Sequence, residues 1–364
     1  MTSPLEAALV RRIRLAGPLT VADYQAEVLG HPEHGYYRRG DPFGGAGDFV
    51  TAPEISQMFG ELIGLWCVDQ WVRLGEPGLL RLVELGPGRG SLMADALRAS
   101  RLRPAFLEAL RLHLVETSPA LRERQRATLH PMLPADLAPQ WHDSFPDVPE
   151  DGALLLIANE FFDVLPIHQF LRTRDGWRER LVVVDEAGRL SWGIGPAGPA
   201  LGLLGDRGPA APEGTIAEVC PAGLALAAAV ARRIVARGGA ALIIDYGYQG
   251  SSGDTLQAVR RHARHPALSE PGTADLTAQV DFTALARAAG ETGAAVFGPI
   301  AQGELLSRLG IDARARILAA QAGTEQRAAI EAARRRLCDA AEMGTLFKAL
   351  AIAAPGAAAP AGFA

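Results

Sequence analysis

Apolar runs of strand length alternate with helical patterns from about residue 79 onward. Leu79 to Leu85, Leu110 to Glu116, Ala153 to Ala158 and Ala240 to Ile244 read as strands, with a weaker one at Gln140 to His142. Alternation of this kind predicts an α/β fold, a mostly parallel sheet with helices on both faces. Ser91 to Arg98 continues as a helix, and Ser118-Pro119 starts another, with the hydroxyl as N-cap and proline where its missing N–H costs nothing. Upstream, Thr51-Ala52-Pro53-Glu54 has the form of a capping box. Ile55, Met58, Phe59, Leu62, Ile63 and Trp66 follow at spacings of three and four, predicting one helix to about Trp71. Residues 168 to 197 alternate apolar and polar around Asp175-Gly176 and Ala187-Gly188, which predicts antiparallel hairpins inserted into the α/β pattern.

These patterns divide the chain into residues 1–78, residues 79–167 with 215–300 as the α/β core, the insertion 168–214, a C-terminal helical part 301–352 and a loose tail 353–364. A length of 364 residues with 48% hydrophobic content fits a soluble globular protein of one large domain with additions, or of two domains. No apolar run approaches the roughly 20 residues of a membrane span. The N-terminus shows neither a secretory signal nor a long presequence, so a cytoplasmic location is expected. Cys67, Cys220 and Cys338 lack any C-x-x-C spacing, which predicts idle thiols in a reducing compartment. The net charge of −5 gives no general basic footprint for nucleic acid. Lys348 is the sole lysine, so a phosphate loop of the G-x-x-x-x-G-K-[ST] type is absent.

Candidate chemistry begins at Val83-Glu84-Leu85-Gly86-Pro87-Gly88-Arg89-Gly90, where a strand meets glycines and then a helix. That arrangement puts backbone N–H groups at the carboxyl edge of the sheet, where open α/β folds bind ligands. The spacing differs from the G-x-G-x-x-G of dinucleotide sites. Glu84, two residues before the first glycine, is unwelcome beside a pyrophosphate but suits a ligand with an amino group, such as S-adenosylmethionine. Glu116 ends the next strand, where a carboxylate can accept both hydroxyls of a ribose. Asp143, after the weak third strand, is either an acceptor for an adenine amino group or a plain loop carboxylate. Asn159-Glu160 ends the fourth strand, at the edge where reacting groups collect. Asp163 either joins Glu160 in holding a guanidinium or caps the next segment.

Taken in order, Gly47 to Trp66, Val83 to Arg98, His113 to Gln125, Ala158 to Phe170, Ile243 to Tyr248, Asp254 to Val259 and Met343 to Leu350 resemble the MidA/NDUFAF-type family over nearly the whole chain. These are class I S-adenosylmethionine-dependent methyltransferases, including the mitochondrial protein-arginine methyltransferase needed for assembly of respiratory complex I. The resemblance implies a Rossmann-like methyltransferase core with an N-terminal helical cap and a hairpin insertion. It implies a cofactor held by Glu84, Gly86, Gly88, Gly90 and Glu116, with Asp48, Thr51, Pro53 and Gln57 folding over it, and Asn159 and Glu160 facing the acceptor. The expected partner is a protein substrate, by resemblance a complex I subunit, and a homodimer is left open. The lack of a presequence points to a bacterial protein. Gln279 stands where relatives often carry histidine.

Methyl transfer from a sulfonium is an in-line displacement, so the protein aligns the reactants, excludes water and handles one proton, and needs no metal. Arginine is protonated at neutral pH, so a carboxylate must hold the guanidinium and accept a proton. Glu160 is the first candidate, followed by Asp163 and Glu218, with His168 as another base. The rival readings are a small-molecule methyltransferase and an assembly factor that binds the cofactor without essential catalysis.

Overall fold

The computed structural model describes residues 3–38, 51–134, 137–205, 211–250 and 253–364. The chain divides into two compact units, one of Val50–Phe162, Ala225–Gln249 and Phe282–Ala364, the other of Met1–Phe49, Asp163–Leu224 and Gly250–Asp281.

The first unit is built on the strands β1 (Leu80–Leu85), β2 (Leu110–Val115), β3 (Gln140–His142), β4 (Ala153–Asn159), β5 (Gly239–Tyr248), β6 (Ala295–Ala301) and β7 (Phe347–Ala353). Their order is β6-β7-β5-β4-β1-β2-β3. From β5 to β3 every neighbouring pair is parallel, whereas β7 runs antiparallel to both β5 and β6. Strands buried on both faces read as near-continuous apolar runs, which is why Ala153–Asn159 stands out and Leu80–Leu85 does despite Arg81 and Glu84. Helices α1 (Ala52–Ile55), α2 (Gln57–Arg73), α3 (Ser91–Ser100) and α4 (Pro119–Leu129) belong to this unit. Phe59, Ile63 and Trp66 of α2 join Leu82, Leu97, Ile157 and Leu242 in its core. A Cβ on Gly64 would stand 2.5 Å from the carbonyl oxygen of Ala96, so glycine there lets α2 lie backbone-close to α3.

In the second unit, strands His168–Thr173, Gly176–Val184 and Leu190–Ile194 form the expected hairpins, extended by Leu19–Thr20 and Ile216–Val219. Leu5, Leu9 and Ile13 of the helix Pro4–Ala16 share a core with Val182 and Leu276. The expected boundaries therefore change. Residues 1–78 are divided between the units, and Ile216–Val219 and 250–281 lie with the insertion rather than in the α/β core.

Several local expectations also fail. The predicted single helix from Thr51 is two, because Ser56 is extended at φ −161° and ψ 138° and its hydroxyl accepts from the Met58 N–H. Thr51 makes no capping bond, and Glu54 is drawn away to accept from the Ser91 hydroxyl at 2.5 Å. The C-terminal part is not wholly helical, since Phe347–Ala353 is a buried strand lying between Gly239–Tyr248 and the edge strand Ala295–Ala301. Its Ala/Leu run is too short for periodicity to separate helix from strand. The tail is docked rather than loose: Phe363 packs on the core and Arg308 donates to the Gly362 carbonyl at 3.1 Å.

Candidate active site

Strands β1 and β4 lie side by side, with Leu85 opposite Ala158, and on its other side Leu85 stands opposite Val115 of β2. The chain runs outward from β1 through β2 and β3 and then returns to β4, so the strand order reverses between β1 and β4. The crevice at such a reversal is where open α/β sheets bind ligands. There the chain turns through Gly86, Gly88 and Gly90 at φ +59°, +53° and +84°, values that residues with a Cβ seldom adopt. Gly86 is also required by packing, since a Cβ would stand 2.7 Å from Cδ2 of Phe161. Gly90 leads into α3, whose first N–H groups lack helical acceptors and favour negative or lone-pair-bearing groups.

Glu84 is buried at the end of β1, and its Oε2 has no hydrogen-bond partner among the described residues. Burial pushes its carboxyl up to about 8. The Cys67 thiol, raised first by its own burial and then by Glu84, is the titrating neighbour. Asn159 Oδ1, at the end of the adjacent β4, is likewise buried without a partner among the described residues. Two unsatisfied acceptors on neighbouring strand ends fit a ligand rich in N–H donors, such as the amino group of S-adenosylmethionine.

An ammonium-bearing ligand bound beside this carboxyl would bind in a pH-dependent way. A group titrating near 8 is protonated at pH 7, and an ammonium bound beside it favours the ionised form. Binding of S-adenosyl-homocysteine at pH 7 is expected to release up to about one proton, with affinity rising between about pH 6 and 8. Calorimetry in buffers of different ionisation enthalpy counts the protons; Glu84→Gln should release none, and a wild type that binds without release refutes the linkage. In the free protein the sign for stability is opposite. The unfolded carboxyl ionises near 4.5 and the folded one near 8, so its contribution is full below 4.5 and lost as pH rises to 8.

Glu116 follows β2, buried, and burial raises its carboxyl above the ordinary range while hydrogen bonds from Ser118 and Gln125 pull it back. Oε1 accepts from the Ser118 N–H at 2.7 Å and Oε2 from Gln125 Nε2 at 3.2 Å. The Thr117 N–H also bonds this carboxylate, so of its roughly four accepting directions about one remains for a ligand hydroxyl. Arg122 donates to the Glu116 carbonyl and, at 2.6 Å, to Asp143 Oδ1. Asp143 thus stands beside Glu116, but its side chain is 81% exposed and engaged by arginine.

At the end of β4 the chain turns sharply at Glu160, a non-glycine residue at φ +51°. Asp245, fully buried in β5, holds this turn by accepting from the N–H groups of Phe161 at 3.1 Å and Phe162 at 2.9 Å. Glu160 Oε1 accepts from the Ala52 N–H at 3.0 Å and from Asn159 Nδ2 at 3.1 Å. The short helix α1 is tied to the glycine loop as well, because Glu54 accepts from Ser91 and pairs with Arg89 at 3.5 Å. Thr51 and Pro53 begin α1, Gln57 is exposed at the first position of α2, and Asp48 lies outside the described residues.

Asn159, Glu160, Glu84, Gly86, Gly88, Gly90, Glu116 and Asp143 are all in the first unit, whereas Asp163 and Glu218 belong to the second. Glu218 is a strut there rather than a poised base: its carboxylate accepts from Gln169 at 2.7 Å, from the Thr255 N–H and hydroxyl, and from the Leu256 N–H. The buried Asp163 lies in the acidic surroundings of Tyr37, whose hydroxyl donates to Asp275 at 3.0 Å. His168 is paired with Glu179 of the neighbouring strand at 2.6 Å. Sequence reasoning missed Asp245 and Gln125. The first was visible as an acid closing an apolar strand, the second as an amide in the apolar stripe Leu121, Gln125, Leu129.

Residues 62–300 match the model of an S-adenosyl-L-methionine-dependent methyltransferase family. The chain is 41% identical to "Protein arginine methyltransferase NDUFAF7, mitochondrial" of Xenopus tropicalis over 85% of its own length and 76% of that relative. The human protein of the same name is 39% identical over 87% of this chain and 75% of its own. Among solved structures, a Burkholderia thailandensis protein crystallised with S-adenosyl-homocysteine superposes with a TM-score of 0.86 at 30% identity, covering 99% of this chain and 94% of that one. The NDUFAF7 relatives are mitochondrial, which overturns the cytoplasmic expectation drawn from the N-terminal residues alone. This chain belongs to the MidA/NDUFAF-type family of class I S-adenosyl-L-methionine-dependent methyltransferases, and S-adenosyl-L-methionine is its cofactor.

Proposed function

We propose that this methyltransferase modifies an arginine side chain of a protein, a subunit of respiratory complex I. What carries the reading is the carboxylate of Glu160, held at the end of β4 in the unit that also contains the glycine loop. The names of the NDUFAF7 relatives support arginine as the acceptor.

In this reading Glu84 and Asn159 take the amino end of the cofactor, the turn through Gly86, Gly88 and Gly90 lies along it, and Glu116 takes a ribose hydroxyl. Asp143 lies toward the adenine, and Thr51, Pro53 and Gln57 close over the site. The tether of α1 to Ser91 and Arg89 supports that closure. When bound, S-adenosyl-L-methionine supplies an electrophilic methyl group on a sulfonium. A guanidinium nitrogen that gains a methyl must lose a proton, because arginine enters as a cation. Glu160 holds the guanidinium and accepts that proton, and Asn159 orients it by donating to Oε1.

The test is transfer of labelled methyl from S-adenosyl-L-methionine into proteins of a lysate from cells lacking this gene, followed by acid hydrolysis. Label in methylated arginine, absent with a cofactor-binding variant, is expected. Label confined to small molecules overturns the reading.

A further inference from the structure

Helix α4 carries a polar residue where its fold asks for an apolar one. Its sequence PALRERQRATL is otherwise hydrophilic and buries only Leu121, Gln125 and Leu129, one residue per turn along a single stripe. Gln125, in the middle of that stripe, is fully buried. A buried amide is tolerated only when its groups are hydrogen-bonded, and leucine would fill the position without that demand.

The amide is satisfied on both sides, and its orientation is fixed. Trp141 Nε1 lies 2.7 Å from Gln125 Oε1, and an indole N–H is a donor only, so the oxygen must face the ring. Nε2 with its two hydrogens then faces the other way, donating to the Gly88 carbonyl at 2.8 Å and to Glu116 Oε2 at 3.2 Å. Gly90 rests on the same residue, its Cβ direction meeting the Gln125 Cα and Cγ at 3.6 Å. Because the C=O and N–H of one planar trans peptide point oppositely, drawing the Gly88 carbonyl toward α4 turns the Arg89 N–H away from it.

We infer that Gln125 is a positioning residue for the cofactor: one side-chain amide, oriented by Trp141, sets the glycine loop and the Glu116 carboxylate in register with each other. The inference rests on the assignment of the glycine loop and Glu116 to the cofactor site. A neutral amide suits this place, because it binds Glu116 without neutralising the charge that would meet hydroxyl groups. The charged groups nearest the amide are Glu116, Arg126 stacked 4.6 Å over the Trp141 ring, and Arg122 paired with Asp143.

Gln125→Glu keeps the shape and the acceptor for Trp141 but sets a carboxylate against the Gly88 carbonyl and Glu116, an arrangement relieved only by protonation. Binding of S-adenosyl-homocysteine by calorimetry is expected to weaken at least about tenfold at pH 8, and the ratio of variant to wild-type Kd to shrink by pH 5.5. Gln125→Leu should weaken binding by a similar factor at both pH values, with kcat near wild type at saturating S-adenosyl-L-methionine. Trp141→Phe retains a ring beneath Arg126 and removes the N–H that orients the amide, so a loss of about threefold or more is expected in a protein whose folding is checked by its thermal melt. Wild-type affinity in these variants, or a Gln125→Glu defect independent of pH, overturns the inference. Failure of the wild-type protein itself to bind would instead remove the cofactor-site assignment on which the inference rests.

Discussion

Replacement of Gly88 by valine should abolish detectable binding of S-adenosyl-homocysteine, a loss of at least about a hundredfold, while leaving a cooperative thermal melt. Gly88 sits at φ +53°, and a β-branched residue is the least able to occupy that region, at a strain of roughly 1–3 kcal/mol. The loop cannot relax freely, because the Gly88 carbonyl is anchored to Gln125 at 2.8 Å and the flanking Gly86 and Gly90 are also at positive φ. Relief of the strain must therefore rotate the peptide units of the loop. Calorimetry on the purified variant is the measurement, and retained affinity would take the glycine turn out of the cofactor site.

Glu160→Gln is expected to keep cofactor affinity within a few-fold and to lower methyl transfer by about a hundred- to ten-thousandfold, the usual contribution of a positioned base. The glutamine oxygen can still accept from the Ala52 N–H and Asn159 Nδ2, so the turn and its tie to α1 survive. What is lost is the charge that holds a guanidinium and the site that takes its proton. Single-turnover transfer of labelled methyl, run beside calorimetry, separates the two effects. Unchanged turnover removes Glu160 from the chemistry, whereas lost binding assigns it to the structure of the site.

The strands that carry the site were legible because their residues are buried on both faces. Leu80–Leu85 and Leu110–Val115 are leucine- and valine-rich with single polar residues between, Ala153–Ala158 is wholly apolar, and the acid or amide at or just past the end of each stands out. Glu84, Glu116 and Glu160 are singled out for that reason. The capping box at Thr51 misled because it is a local pattern and the contact that won is tertiary: Ser91, far along the chain, takes Glu54. Asp245 and Gln125 act through partners on other elements, and no spacing reveals such partners. The division into units was illegible for the same reason, since the membership of residues 1–49 depends on packing against strands more than a hundred residues away.

Strand β7 lies between β5 and β6 and closes the apolar edge of the parallel strands. A nascent chain emerging from the ribosome can assemble β1 to β5 early, but the stretch Ala240–Tyr246 of β5 waits for its partner until residues 347–353 have been made. For that interval the half-built sheet offers unpaired backbone groups and a hydrophobic border, the kind of exposed edge on which chains aggregate.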